Sequence, residues 1–128
     1  MKRITAEEYK ALHIDKQPKY RNKKIASLDG VFDSKKEFDR WRELKLLEKA
    51  GLISGLRRQV SYELIPAQRD ERGKVIERAV RYVADYAYER DGVMVVEDVK
   101  SEITRKNQAY VLKRKLMLER HNQHITEV

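Results

Sequence analysis

The sequence predicts an α/β fold, one mixed sheet flanked by helices in the order helix, three strands, helix, strand. Three observations carry the prediction. Phe38, Trp41, Leu44 and Leu47 recur at every third position, Val- and Tyr-rich segments broken at Pro66 and Asp91-Gly92 come next, and a second helical stripe opens after Thr104. With 128 residues, 41% of them hydrophobic, the chain is sized for one domain with one modest core.

Residues 1 to 32 are polar and basic, interrupted by Pro18 and Gly30, and carry Tyr9 and Tyr20 among their cations. They read as an extended or partly helical basic arm, and residues 33 to 128 as a single domain. The first helix is expected from Asp33 to Ala50, with Gly51 as its stop. Gln59 to Ile65 alternates as a strand up to Pro66. Ala79 to Tyr88 and Val93 to Lys100 form a hairpin around Asp91-Gly92. A second helix spans Thr104 to Arg120 with Ala109, Leu112 and Leu116 as its apolar stripe, and a short strand follows at His124 to Val128.

Composition narrows the chemistry. There is no cysteine, which removes disulfides and thiolate zinc sites, and no Gly-rich phosphate loop, which argues against a nucleotide cofactor. No apolar run is long enough to span a bilayer and the N-terminus lacks a signal-peptide pattern, so a cytoplasmic protein without a membrane partner is expected. The net charge of +8 points to a polyanionic partner. Lys and Arg outnumber acids ten to five over residues 1 to 36 and six to one over residues 104 to 121, so the excess sits at the two ends.

The acids in the middle are more informative. In the strand Val95-Val96-Glu97-Asp98-Val99-Lys100, alternation puts Val96, Asp98 and Lys100 on one face and Val95, Glu97 and Val99 on the other. The same rule gives Val83, Asp85 and Ala87 one face of the preceding strand and Tyr82, Tyr86 and Tyr88 the other. Pairing of the two strands brings Asp85 close to Asp98. Two adjacent carboxylates in an apolar setting call for a cation, and oxygen ligands of this kind suit Mg²⁺ or Mn²⁺. A lysine beside such an ion can orient the water that attacks a phosphodiester. The bland alternative is an ion pair between Asp98 and Lys100 with Asp85 merely solvated.

The order Asp85, then Asp98-Val99-Lys100, preceded by a helix with an acid at Glu37, resembles the PD-(D/E)XK nuclease superfamily. The blocks FDSKKEFDRW, RRQVSYELIP, RYVADYAYERDG and VVEDVKS resemble a small phage-encoded branch of it, over residues 18 to 128. The chain departs from the superfamily's signature in one place, where Ala84 stands at the proline position before the first acid. The resemblance implies a restriction-endonuclease-like core and a Mg²⁺- or Mn²⁺-dependent DNA endonuclease acting on branched or recombination intermediates. It also implies a homodimer, located in the bacterial host cytoplasm if phage-encoded. Asp85, Asp98 and the Val99 carbonyl would hold the metal, Lys100 would position the water, and Glu37 would face the metal directly or through water.

Some assignments stay open at this level. Ser34 to Glu37 also matches a capping box, in which the Glu side chain bonds back to the cap residue's amide. Glu97 points away from the metal and is expected to pair with an Arg on a helix. Arg57 and Arg58, and on the second helix Arg105, Lys106, Lys113 and Arg114, are candidate DNA-backbone contacts, with Tyr110 as a stacking surface. For each of these a solvated basic face is the alternative. Gln59 is either solvated or near the site. The His121 to His124 segment lacks the flanking pattern of an H-N-H nuclease and reads as a helix end and turn. A non-catalytic nucleic-acid-binding or assembly protein of the same fold is the competing function.

Overall fold

The computed structural model describes residues 23–128; Tyr9, Pro18, Tyr20 and most of the expected arm lie outside them. Eleven elements follow in chain order: β1 (Ile25–Ser27), β2 (Gly30–Phe32), α1 (Lys35–Lys49), β3 (Ser54–Ile65), β4 (Gln68–Arg69), β5 (Val75–Glu77), β6 (Val80–Arg90), β7 (Val93–Asp98), α2 (Glu102–Arg105), α3 (Gln108–His121) and β8 (Ile125–Glu127). The principal sheet has the order β3-β6-β7-β8. β3 and β7 run antiparallel to β6, and β8 runs parallel to β7, so the sheet is mixed and the fold is α/β.

Helix α1 covers one face of this sheet. Trp41 and Leu44 pack with Phe32, Ile53, Tyr86 and Tyr88. Helix α3 covers the other, where Tyr110 and Met117 meet Leu64, Tyr82, Ala84, Ala87 and Val96. Burying these side chains supplies the main drive to fold.

β3 and β6 exchange faces midway. On β3, Leu56 and Arg58 lie on the α1 side while Val60, Tyr62 and Leu64 lie on the α3 side. On β6, Tyr82 and Ala84 face α3, and Tyr86 and Tyr88 face α1. The three tyrosines therefore do not share a face, contrary to simple alternation. Register is unbroken between Val60·Ala84 and Arg58·Tyr86, which leaves Gln59 opposite Asp85 at the crossing. Gln59 adopts φ 53°, a left-handed conformation that reverses the side-chain alternation.

Several boundaries differ from expectation. Residues 25–32, read as part of the arm, form the β1–β2 hairpin, and Phe32 is fully buried. The β4–β5 hairpin was not expected; Asp70 organises its turn by accepting the amides of Arg72 and Lys74. The second helix is split, because Asn107 caps a fresh start by accepting the Tyr110 amide. This restart turns the helix so that Tyr110 and Met117 are buried, whereas Leu112 is exposed and Ala109 faces outward. The expected stripe of Ala109, Leu112 and Leu116 holds only at Leu116, which is partly buried.

Candidate functional site

The site is a fork in the sheet. β6 and β7 pair from Arg90·Val93 down to Tyr86·Glu97 and then part. Beyond that point β7 turns to β8: the Asp98 carbonyl accepts from the Val128 amide at 3.0 Å, and the Lys100 amide donates to the Val128 carbonyl at 3.0 Å. The intervening Val99 backbone faces the opposite way, and its amide donates to Asp85 Oδ2 at 2.8 Å. A carboxylate thus replaces a ladder partner. In an extended strand the amide and carbonyl of one residue point to the same side, so the Val99 carbonyl also borders the fork.

Asp98 is 2% exposed and lies on the α3 side of β7, as alternation requires. Its Oδ2 has no hydrogen bond, although Lys100 Nζ stands 3.1 Å away in an ion pair. Lys100 Nζ also rests over the Tyr110 ring, 4.5 Å from its centroid. Burial, and then the adjacent Asp98, push the Asp85 carboxyl up to about 8, against the pull of the Val99 amide. Two acids share a space that has room for little negative charge.

Glu37 enters from the first turn of α1. Ser34 Oγ accepts the Glu37 amide at 3.1 Å, so the helix is capped, but the Glu37 side chain does not return to the cap residue. Glu37 is 4% exposed and turns toward the sheet, where Oε1 accepts from Gln59 Nε2 at 3.4 Å and lies 4.0 Å from Arg58. Tyr86 fixes this turn of helix by donating its hydroxyl to the Glu37 carbonyl at 2.6 Å. Burial, with smaller contributions from the charges of Asp33 and Asp98, raises the Glu37 carboxyl above its usual range. Glu37, Gln59, Asp85, Asp98 and Lys100 therefore converge. Lys36 adds a brace between helix and strand, its Nζ donating to the Lys100 carbonyl at 3.1 Å.

Glu97 lies on the other side of β7, 1% exposed, and takes a bidentate ion pair from Arg40 of α1. Tyr88 donates a further short hydrogen bond to it. The Arg partner on a helix was expected; Tyr88, which alternation places on the face opposite Asp85, was not named as a partner of Glu97.

The basic residues separate into different roles. Arg57 is exposed. Arg58 is not an open phosphate contact: its guanidinium lies 3.8 Å from the Phe32 ring centroid and donates to the carbonyls of Asp29 and Val31. That placement requires Gly30, where a Cβ would come within 2.6 Å of Arg58 Nη1. Arg105 and Arg114 both lean on Glu127, at 3.9 and 3.6 Å, while Lys106 is exposed at the end of α2. Tyr110 is buried under Lys100 and Arg114, which leaves no ring face for a base to stack on. Lys113 lines a cleft beside Asp98 together with Arg81, Tyr82 and Asn107, of which the last three were not anticipated as site residues. His121 donates from Nε2 to the Glu63 carbonyl at 2.7 Å and packs on Tyr62, a structural post.

Among the described residues, no group of three or more His, Cys, Asp or Glu side chains converges closely enough to hold a metal ion. What the fork presents is two carboxylates and a backbone carbonyl, a donor set matching the way Mg²⁺ is held by one or two carboxylates while keeping several waters. A cation in that position would share Asp98 Oδ2 with Lys100 and offset the raised Asp85. Among the described residues, no helix is long and apolar enough to cross a membrane.

No curated protein and no solved structure matches the chain. A family model does match, covering residues 17–127 and so all three helices together with Glu37, Asp85, Asp98 and Lys100: the chain belongs to the family described as "Protein of unknown function (DUF1064)".

Proposed function

We propose that this chain is a divalent-metal-dependent DNA endonuclease with a restriction-endonuclease-like core, hydrolysing phosphodiester bonds in branched or recombination intermediates. The observation that carries the reading is the fork itself. A buried acid, Asp98, and a half-buried one, Asp85, lie together on adjacent strands, one Asp98 oxygen has no hydrogen bond, and a lysine ammonium stands 3.1 Å from it in a protein of net charge +8. A purely structural ion pair has no use for the second acid.

Asp85, Asp98 and the Val99 carbonyl would hold Mg²⁺ or Mn²⁺, which when bound neutralises charge developing on the phosphate. Lys100 orients the attacking water, whose oxygen forms the new bond to phosphorus while the bond to the leaving sugar oxygen breaks and that oxygen takes a proton. Glu37 acts through water, since its carboxylate is engaged by Gln59 and Arg58. A homodimer would offer one such site to each of two strands.

The test is a panel of linear, nicked, flapped and four-way DNA incubated with Mg²⁺ or Mn²⁺, with Asp98→Ala as control. Cleavage of at least one substrate by the wild type and none by the variant, with DNA binding retained, supports the reading. A panel left uncut by wild-type protein overturns it in favour of a binding protein.

A further inference from the structure

We infer that the β4–β5 hairpin is a DNA-gripping arm, a two-stranded ribbon that enters the major groove of the duplex flanking the bond acted on at the fork. The choice of DNA as partner rests on the nuclease reading.

The arm begins where the sheet narrows. β6 pairs with β7 only from Arg90 to Tyr86, so from Asp85 back to Val80 it has β3 alone beside it, and this two-stranded ribbon runs on past Ile65·Val80 into the hairpin. Every residue from Gln68 to Arg78 is exposed, so no burial in a core accounts for the segment. Its shape is nonetheless set by its own chain. Asp70 accepts the Arg72 and Lys74 amides through its side chain and donates its own amide to the Lys74 carbonyl at 2.9 Å, and Arg69 donates to the Gly73 carbonyl at 2.9 Å. A hairpin already held in one shape loses little freedom when it binds.

Its side chains suit a groove. Alternation along β5 sets Val75 and Glu77 on one face and Ile76 on the other, and the flanking Lys74 and Arg78 fall on the Ile76 side. Ile76 is 64% exposed between these two cations. Among the described residues, neither Lys74 nor Arg78, nor Arg72 at the turn, has a carboxylate within ion-pair distance. The acids of the arm stand elsewhere: the Asp70 carboxylate is taken up by amides, Glu71 sits in the turn, and Glu77 lies on the opposite face across from Gln68. Cations on either side of an apolar side chain match a groove with phosphates along its rims and base edges, thymine methyls among them, on its floor. The major groove, about 12 Å wide, admits a two-stranded ribbon. Eleven residues separate Lys74 from Asp85, a reach of at most about 36 Å at the rise of a strand, or roughly one turn of B-DNA.

The full chain, kept in EDTA, is titrated against a fluorescein-labelled duplex of about two helical turns over a series of salt concentrations, with anisotropy as the readout. Lys74→Ala/Arg78→Ala is expected to weaken binding about tenfold near ~0.1 M salt and to lower the slope of log affinity against log salt by about two. Ile76→Ser is expected to weaken binding about threefold and leave the slope unchanged. Lys45→Ala/Lys49→Ala removes the same charge from the exposed side of α1, whose end meets the opposite end of β3, and is expected to change affinity less than about twofold. The substituted side chains are exposed, so the variants should fold; melting curves confirm this. Unchanged affinity and slope in Lys74→Ala/Arg78→Ala, or an equal loss in the α1 variant, would overturn the inference. Cleavage in Mg²⁺ separates the two claims. If the arm variant binds less tightly but the wild type cuts nothing, the nuclease reading falls and the arm stands. If the arm variant cuts at wild-type KM, the arm falls and the nuclease reading stands.

Discussion

Arg40 and Glu97 are joined by two hydrogen bonds, Nε to Oε1 at 2.8 Å and Nη2 to Oε2 at 2.7 Å, between the middle of α1 and the strand that carries Asp98. The guanidinium is held in its charged form by these bonds, and burial together with Glu97 pushes the Tyr88 hydroxyl up to about 12. Because Glu97 precedes Asp98, the pair fixes which side of β7 each acid faces. Removing Arg40 leaves a buried carboxylate without its cation. Arg40→Met is expected to cost about 3–5 kcal/mol in urea unfolding. Restoring charge balance with Arg40→Met/Glu97→Gln should recover a good part of that loss; a double variant no more stable than Arg40→Met would show that the ion pair is not the source.

Asp85 makes stability depend on pH in a direction opposite to that of most carboxylates. Its folded-state value, about 8, lies above the ordinary 3.8, so the folded protein holds this proton more tightly than the unfolded chain does. The associated stability is complete below about pH 4 and is lost as pH rises toward 8. Without divalent ions, the melting temperature should therefore be lower at pH 8 than at pH 5. Asp85→Asn keeps an acceptor for the Val99 amide and removes the ionisation. It should stabilise the protein by about 0.5–2 kcal/mol at pH 8 and much less at pH 5. Equal effects at both pH values would contradict this account, as would destabilisation at pH 8.

Gly30 is the one glycine where a side chain meets an obstacle. Its φ is +119°, and the Cβ of an alanine would press on the Arg58 guanidinium. Gly30→Ala is expected to destabilise by about 1–3 kcal/mol. Combined with Arg58→Ala the penalty should shrink, because part of the clash is gone; strict additivity in thermal unfolding would place the whole cost in the backbone.

Tyr86 ties the sheet to the first turn of α1. Its hydroxyl is buried and meets the Glu37 carbonyl at 2.6 Å, and burial pushes it well above the usual phenol range. Tyr86→Phe removes one bond while leaving the ring stacked on Trp41. The expected loss is about 0.5–1.5 kcal/mol. If Glu37 serves the site, the same variant should lower cleavage without lowering DNA affinity; unaltered cleavage would detach Glu37 from the chemistry.

Much of the fork is legible in the sequence. Period-two alternation placed Asp98 and Lys100 together and sent Glu97 to a helical Arg, because β7 is regular along its length. The same rule failed one strand away. Tyr82 was assigned to the wrong side because β6 changes faces at Asp85, and the cause is a left-handed Gln59 on a different strand, which a non-glycine residue does not advertise. The second helix was found but rotated, since the signal was an ordinary Asn at 107 acting as a cap. The β1–β2 hairpin had a visible Asp29-Gly30 turn, masked by the basic composition around it. At Gln59 and at Asn107 a single backbone conformation outweighed a correct local pattern.

The exchange of faces at Gln59 and Asp85 divides the interior into two apolar compartments, one under each helix, with the acids on the seam between them. Neither compartment draws on Asp85 or Asp98 for its apolar contacts. Evolution can therefore rewrite the charges on the seam, altering or silencing whatever chemistry occurs there, while the architecture around them stays intact.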